Sequence, residues 1–252
     1  MTVPVAIAVE LIRAGHLGRH IAVAGGAFVL AIAPASAQPG RATALAPAAP
    51  AGAQHVAIMD GDTGILLACD DCETPIPPAS MSKLMTILIV AERLQSGRVT
   101  ENTRVRVSEN AWRHGAMSDG SHMFLEINSE VRIGDLMRGI IIVSANDACV
   151  ALAEGLSGSE EAFVTEMNRR AGELGLRSAR FRNVTGLPDP EHVISAADLA
   201  RLTRHLIRAY PDIYRLYSQR DFTFNNRTQE NRNPLLGAFT GADGVKTGHT
   251  SD

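Results

Sequence analysis

From Ile133 to Leu156 the sequence is almost continuously apolar, and Ser144-Ala145-Asn146 interrupts the run. A surface helix carries one apolar stripe, whereas a segment that is apolar nearly all round has to be buried. Two buried helices are therefore expected, over 133–143 and 147–156, with the tripeptide between them. A chain built on such a pair must supply other elements to cover it.

It does so with shorter pieces. Residues 55–59 and 65–68 are apolar runs separated by Gly61-Asp62-Thr63-Gly64, the pattern of strand, turn and strand. Pro75, Pro77 and Pro78 stop the second strand, and a helix is expected over 79–96 with Gly97 closing it. Leu84, Ile87, Leu88 and Ala91 recur at helical spacing, so one face of that helix is core. Residues 103–107 alternate like an edge strand. Ser159 can cap a further helix with Glu160 and Glu161 in its first turn, where negative charge suits the dipole. Phe163, Met167, Ala171 and Leu174 form its apolar stripe, and Gly175 ends it. Ser195 opens another helix, with Leu199, Leu202 and Leu206 inward and Pro211 as its stop. Phe222 and Phe224 alternate in a strand, and 244–250 reads as one more. Strands at both ends of a helical middle predict an α/β (α+β) fold, an antiparallel sheet flanked by helices and carrying a helical insertion.

The N-terminal residues read as an address. Arg13 and Arg19 precede an apolar run of small residues over 21–33, which ends in Ala35-Ser36-Ala37. That is the layout of a secretory signal peptide over 1–37, cut after Ala37. The run is short for a bilayer span, and a tethered anchor is the other reading. Residues 38–53 are Pro, Ala and Gly with little else, too poor in burial to offset the entropy of ordering, and read as a linker. The folded domain is expected over 54–252. A net charge of −3 gives no general attraction to nucleic acid.

Ser80 and Lys83 stand three residues apart at the start of a predicted helix, on one face and close enough to exchange a proton. Ser82 points about 100° away around the helix and is the poorer nucleophile. The N–H groups of a helix N-terminus suit negative charge developing on an attacked carbonyl. Ser-x-x-Lys alone is a weak signal, equally consistent with a capping serine followed by an exposed lysine. Lysine usage decides between these. Of 24 basic side chains, all but Lys83 and Lys246 are arginine. In so arginine-rich a sequence, lysine should survive where an amine must lose its proton or fit as a compact charge. Random placement would put both in these positions roughly once in 300 arrangements, so the bland reading is hard to sustain. To act as a base near pH 7, Lys83 must titrate about 3 units below its ordinary value, and burial or a second ammonium would push it that way. Lys246 is the other amine side chain, and Ser144 and Asn146 could relay the proton or fix its path.

Ser80-Met81-Ser82-Lys83, Ser144-Ala145-Asn146 and Lys246-Thr247-Gly248 occur in the order of the penicillin-binding protein and serine β-lactamase motifs. The surrounding wording at 77–86, 144–148, 231–233 and 243–250 resembles the low-molecular-mass D-alanyl-D-alanine carboxypeptidases, over about residues 54 to 252. The resemblance implies a β-lactamase/transpeptidase-like fold and a serine hydrolase without a cofactor or metal. Its substrate would be a peptidoglycan stem peptide ending in D-Ala-D-Ala, and β-lactams would be covalent inhibitors. Ser80 would carry the acyl group and Lys83 take its proton. Ser144 would return a proton to the leaving D-alanine, while Asn146 holds Lys83 and the substrate amide. Lys246 and Thr247 would meet the substrate carboxylate from a strand edge, beside Gly248. The N–H groups of Ser80 and His249 would form the oxyanion hole, with Arg232 beside the site. Location in the periplasm, peripheral to the inner membrane, follows.

The middle motif is Ser-Ala-Asn rather than Ser-Asp-Asn, and 186–191 resembles the carboxypeptidase pattern, so a β-lactamase is the lesser alternative. D,D-endopeptidase action is compatible with the motifs. Cys69 and Cys72 could form a disulfide or half of a metal site, whereas Cys149 reads as packing. Trp112 and the loop 115–123 are candidates for the cleft rim. In the family, further strands, a covering helix and an amphipathic membrane-binding tail follow the third motif. The sequence given stops four residues past Gly248. Those strands and that tail are expected to lie outside it. A non-catalytic or acylation-only fragment that binds peptidoglycan or β-lactams is the corresponding alternative.

Overall fold

The computed structural model describes residues 6–11, 27–32, 53–117 and 120–249. Strands β1 (Ala6–Leu11) and β2 (Ala27–Ile32) pair in parallel, Ala6 opposite Ala27. The expected cleavage site at Ala37 and the linker up to residue 52 lie outside the described residues.

The domain proper opens with the expected hairpin, β3 (Val56–Met59) antiparallel to β4 (Leu66–Asp70). Asp60 builds its turn. One carboxylate oxygen accepts from the N–H groups of Asp62 and Thr63 and from the Thr63 hydroxyl, at 3.1, 2.6 and 2.7 Å. Gly64 closes the turn at φ +79°, a conformation that favours glycine. Cys69 and Cys72 are joined in a disulfide, with Cα atoms 5.1 Å apart.

After Pro77-Pro78 a single 3₁₀ turn, Ala79–Ser82, leads into α1 (Lys83–Gln95). Next come β5 (Arg104–Arg106), α2 (Glu109–Ala116) and β6 (Glu130–Arg132), with β5 and β6 antiparallel. The sequence reading missed α2, although Ser108 caps it by accepting from the Ala111 N–H at 2.9 Å. Trp112 lies on α2 and packs against the core instead of rimming a cleft. Helix α3 (Ile133–Arg138) runs into a π-helical turn, Gly139–Val143, and α4 (Asn146–Ser157) follows after Ser144 and Ala145.

Helices α5 (Glu160–Glu173) and α6 (Ala196–Ala209) start where their caps predict. The Ser159 and Ser195 hydroxyls accept from the N–H groups of Ala162 and Asp198, at 3.1 and 3.2 Å. Pro211 ends α6 and also opens the short α7 (Pro211–Tyr214), since a first-turn position needs no N–H. Strand β7 (Asp221–Phe224) pairs with an unforeseen partner, β8 (Arg227–Glu230), across Asn225 and Asn226, both at positive φ.

Helix α1 is buried on every face from Lys83 to Ala91, not on one, because α4, α5 and α6 all pack around it. The apolar segments of α3, its π turn and α4 are fully buried beside it, as their composition requires. The mixed fold of helices and antiparallel strands stands, with one correction. Among the described residues the strands form separate two-stranded ladders, not one continuous sheet. The predicted strand over 244–250 is likewise not part of a ladder there.

Candidate active site

The site is built around the 3₁₀ turn. With three residues per turn, side chains at i and i+3 eclipse, and this brings the Lys83 Nζ to 2.8 Å from the Ser80 Oγ. Ser82 turns the other way, and its hydroxyl donates to the Ala79 carbonyl at 3.0 Å. The Lys83 amine also donates to the Thr185 carbonyl at 2.5 Å. Lys83 is wholly buried, and burial holds its amine down to about 8 from the usual 10.5, against a small opposing effect of Cys149. The Cys149 thiol is pushed up to about 12 by the same burial, so it is neutral near pH 7.

The loop 183–192 lies against this turn. Asn183 shapes it, its side-chain oxygen accepting from the N–H groups of Thr185 and Gly186 at 3.1 and 2.7 Å. Gly186, at φ +81°, sits so close that a methyl group there would lie 1.9 Å from the Ala79 carbonyl oxygen. The Thr86 hydroxyl donates to the Val184 carbonyl at 3.1 Å and ties α1 to the same loop.

The second motif enters from the central helix pair. Ser144 follows the π turn in the left-handed region, φ +67° and ψ +30°, and turns the chain between the two buried helices. Asn146 is the first residue of α4, and its N–H donates to the Ser121 carbonyl at 2.7 Å. Asp147 secures the neighbouring loop. Its carboxylate accepts from the N–H groups of Met123, Leu125 and Ala148 at 2.9–3.2 Å. Burial raises its pKa, and those N–H groups oppose the rise.

The third motif crosses the same turn. A methyl group on Gly248 would lie 2.9 Å from the Pro78 carbonyl and 3.2 Å from the Ala79 Cβ. The segment is held from behind by Asn233, whose side-chain amide donates to the Gly244 carbonyl at 3.1 Å, and by the Tyr214 hydroxyl donating to Asp243. Lys246 is buried, and its amine donates to the Thr247 carbonyl at 2.6 Å. Burial, then the charges of Lys83 and Arg232, hold that amine well below its usual range.

These pieces enclose a cleft of ≈ 600 Å³. Ser80, Ser144, Asn146, Arg232, Thr247, Gly248 and His249 all line it, so the residues that sequence brought forward converge on one space. Lys83 and Lys246 lie beneath its floor, fully buried. Gly120 and Ser121 form part of the wall, as expected of the loop 115–123. Leu187 and Pro188, from the segment 186–191 noted in the sequence, also line it, as does Thr185, which sequence reasoning missed. Thr185 acts on Lys83 through a backbone carbonyl, which leaves no mark in sequence. Among the described residues Lys83 has two hydrogen-bond partners, Ser80 and Thr185, so the contact from Asn146 that the resemblance implied is not made here. A hydroxyl beside an amine that burial holds near 8, at the edge of a cleft, is equipped for nucleophilic attack on a carbonyl.

The model of the D-alanyl-D-alanine carboxypeptidase family matches residues 42–252. The D-alanyl-D-alanine carboxypeptidase DacA of Haemophilus influenzae is 42% identical over 200 residues, covering 79% of this chain and 51% of that protein. Among solved structures, penicillin binding protein 5 from Haemophilus influenzae superposes with a TM-score of 0.74 at 43% identity, over 77% of this chain and 56% of that one. Penicillin binding protein 6B from Escherichia coli gives 0.75 at 40% identity, over 84% and 68%. The chain thus spans about half the length of the curated relatives it matches.

Proposed function

The chain belongs to the D-alanyl-D-alanine carboxypeptidase family, and on that premise we propose that it supplies the acylating centre of a serine D,D-carboxypeptidase acting on peptidoglycan stem peptides. One observation carries the reading: the Ser80 hydroxyl lies 2.8 Å from an amine that burial holds near 8.

In this reading the uncharged Lys83 amine takes the Ser80 proton as the oxygen attacks the penultimate D-Ala carbonyl. The N–H groups of Ser80 and His249 stabilise the oxyanion. As the tetrahedral intermediate collapses, the peptide C–N bond breaks. The proton held on Lys83 passes by way of Ser144 to the departing D-alanine nitrogen, and Asn146 orients the substrate amide. Water then attacks the Ser80 ester and gives a proton to Lys83, which passes it to the Ser80 oxygen 2.8 Å away as the acyl C–O bond breaks and the shortened peptide leaves. The substrate carboxylate is met by Thr247 and the Lys246 amine, with the charge of Arg232 adding attraction across the cleft. A penicillin would enter the same sequence and remain as the acyl group.

Residues 1–37 act as a signal peptide and 38–53 as a linker, so the domain works outside the cytoplasm, in the periplasm. The Cys69–Cys72 disulfide supports an oxidising compartment. Mass spectrometry of the exported protein should find Gln38 as its first residue; an intact N-terminus would overturn that assignment.

Fluorescent penicillin followed by diacetyl-Lys-D-Ala-D-Ala tests the activity. Labelling at Ser80 with release of D-alanine supports a carboxypeptidase. Labelling without release limits the chain to acylation, and no labelling refutes Ser80 as the nucleophile.

A further inference from the structure

The second serine of the first motif and a histidine 110 positions away form a buried pair that the reaction above does not use. The Ser82 Oγ lies 2.6 Å from the His192 Nε2, and both residues are buried, at 0% and 2% exposure. The hydrogens can be assigned from the partners. The His192 Nδ1 accepts from the Arg182 N–H at 3.2 Å, so the ring proton is on Nε2 and is donated to Ser82. The Ser82 hydroxyl then donates to the Ala79 carbonyl. Every donor in the chain has an acceptor, and only the neutral ring fits it, because a protonated Nδ1 would face another N–H. Burial, with the charge of Lys83, holds the His192 ring down to about 4, against a smaller pull from Asp189, and so keeps it neutral.

The end of this chain is the peptide between Ala79 and Ser80. That unit is planar, so its carbonyl and the Ser80 N–H have fixed opposite directions, and whatever aims one aims the other. The unit is not in a relaxed setting. Ala79 has φ +49°, a region costly for a residue with a Cβ, and such a conformation persists only where its surroundings hold it. Two supports touch the Ala79 carbonyl: Gly186 packs against it, and the Ser82 hydroxyl bonds to it.

We propose that Ser82 and His192 are positioning residues that hold the Ala79–Ser80 peptide so that the Ser80 N–H is aimed as an oxyanion donor. His192 polarises and orients the Ser82 hydroxyl, and Ser82 fixes the carbonyl. The pair sets the oxyanion hole from behind without touching substrate. This rests on the acyl-enzyme reading given above.

The ring's two nitrogens separate this role from a merely structural one. In His192→Gln the side-chain amide nitrogen reaches the Nε2 place and can donate to Ser82. In His192→Asn the side-chain oxygen can reach the Nδ1 place and accept from Arg182, but nothing reaches Ser82. Penicillin acylation is followed by stopped flow, resolving the non-covalent Kd from the acylation rate constant. Ser82→Ala and His192→Asn should each slow acylation about ten- to a hundredfold with Kd unchanged, part of the loss seen when an oxyanion donor is removed. Ser82→Thr and His192→Gln should recover it to within about threefold. Equal loss in His192→Asn and His192→Gln, or a wild-type rate in Ser82→Ala, would overturn the proposal. So would a change confined to Kd. A wild-type chain that labels while all four variants match it removes this inference alone, whereas a wild-type chain that never labels removes the acyl-enzyme reading beneath it.

Discussion

Raising the pH from 6.5 to 9 should accelerate acylation by roughly thirtyfold, and the structure fixes where the rise occurs. In the proposed reaction the base is the free amine of Lys83, which burial holds near 8 from an ordinary 10.5. That displacement corresponds to about 3.4 kcal/mol against the ammonium form. The free amine is then about 3% of the population at pH 6.5, a tenth at pH 7, half at pH 8 and nine tenths at pH 9. Acylation should therefore climb about tenfold per unit below 8 and level off above it. Linkage gives an independent check with a fixed sign. The unfolded chain binds the extra proton between about 8 and 10.5, so folding stability should rise with pH across that window. Stopped-flow labelling with fluorescent penicillin reads the first quantity and denaturant melts the second. Lys83→Arg should not label at any pH in the range, since a guanidinium stays charged. A flat profile, an inflection above pH 10, or labelling of the arginine variant would refute Lys83 as the base.

Gly186→Ala combines a left-handed backbone with a methyl group 1.9 Å from the Ala79 carbonyl. It should cost about 2–4 kcal/mol in a urea melt and slow acylation, and a wild-type melt would contradict the packing described. Reducing the Cys69–Cys72 disulfide opens a loop of sequence separation 3, so stability should fall by only about 2 kcal/mol, with acylation retained. Loss of penicillin labelling under reductant alone would show instead that the bridge supports the site.

Much of the site was legible because its chemistry is carried by side chains. Two lysines among so many arginines identified Lys83 and Lys246, and both are buried beside the cleft. Helix starts at Ser159 and Ser195 were legible for the same reason, since a capping hydroxyl is a side-chain event. What escaped was written in the backbone or across long separations. The Thr185 carbonyl that holds Lys83 has no residue signature, and His192 meets Ser82 only when loop and helix pack together. The left-handed setting of Ser144 follows from the π turn before it, which periodicity cannot distinguish from an α-helix. Strand content was seen but sheet membership was not, because local alternation predicts a strand and says nothing about its partner.

The site also depends on what is kept out of it. A buried amine beside a carboxylate stays charged, because the ion pair offsets desolvation. Among the described residues, no carboxylate is one of the groups that set the Lys83 pKa. Asp147 is the acid nearest in sequence to the second motif, and its oxygens are occupied by the Met123, Leu125 and Ala148 N–H groups. The anionic candidate that does act on Lys83 is Cys149, and burial keeps its thiol protonated up to about 12. Desolvation therefore acts on the amine nearly unopposed. Cys149→Asp should reverse that balance, returning Lys83 towards 10.5 and cutting the free amine at pH 7 by roughly two- to three-hundredfold. Acylation at pH 7 should fall by a similar factor and recover as the pH is raised towards 10, while Cys149→Ser stays close to the wild type. Loss of labelling that no pH restores, in a variant with a native melt, would show that something other than the protonation of Lys83 limits the reaction.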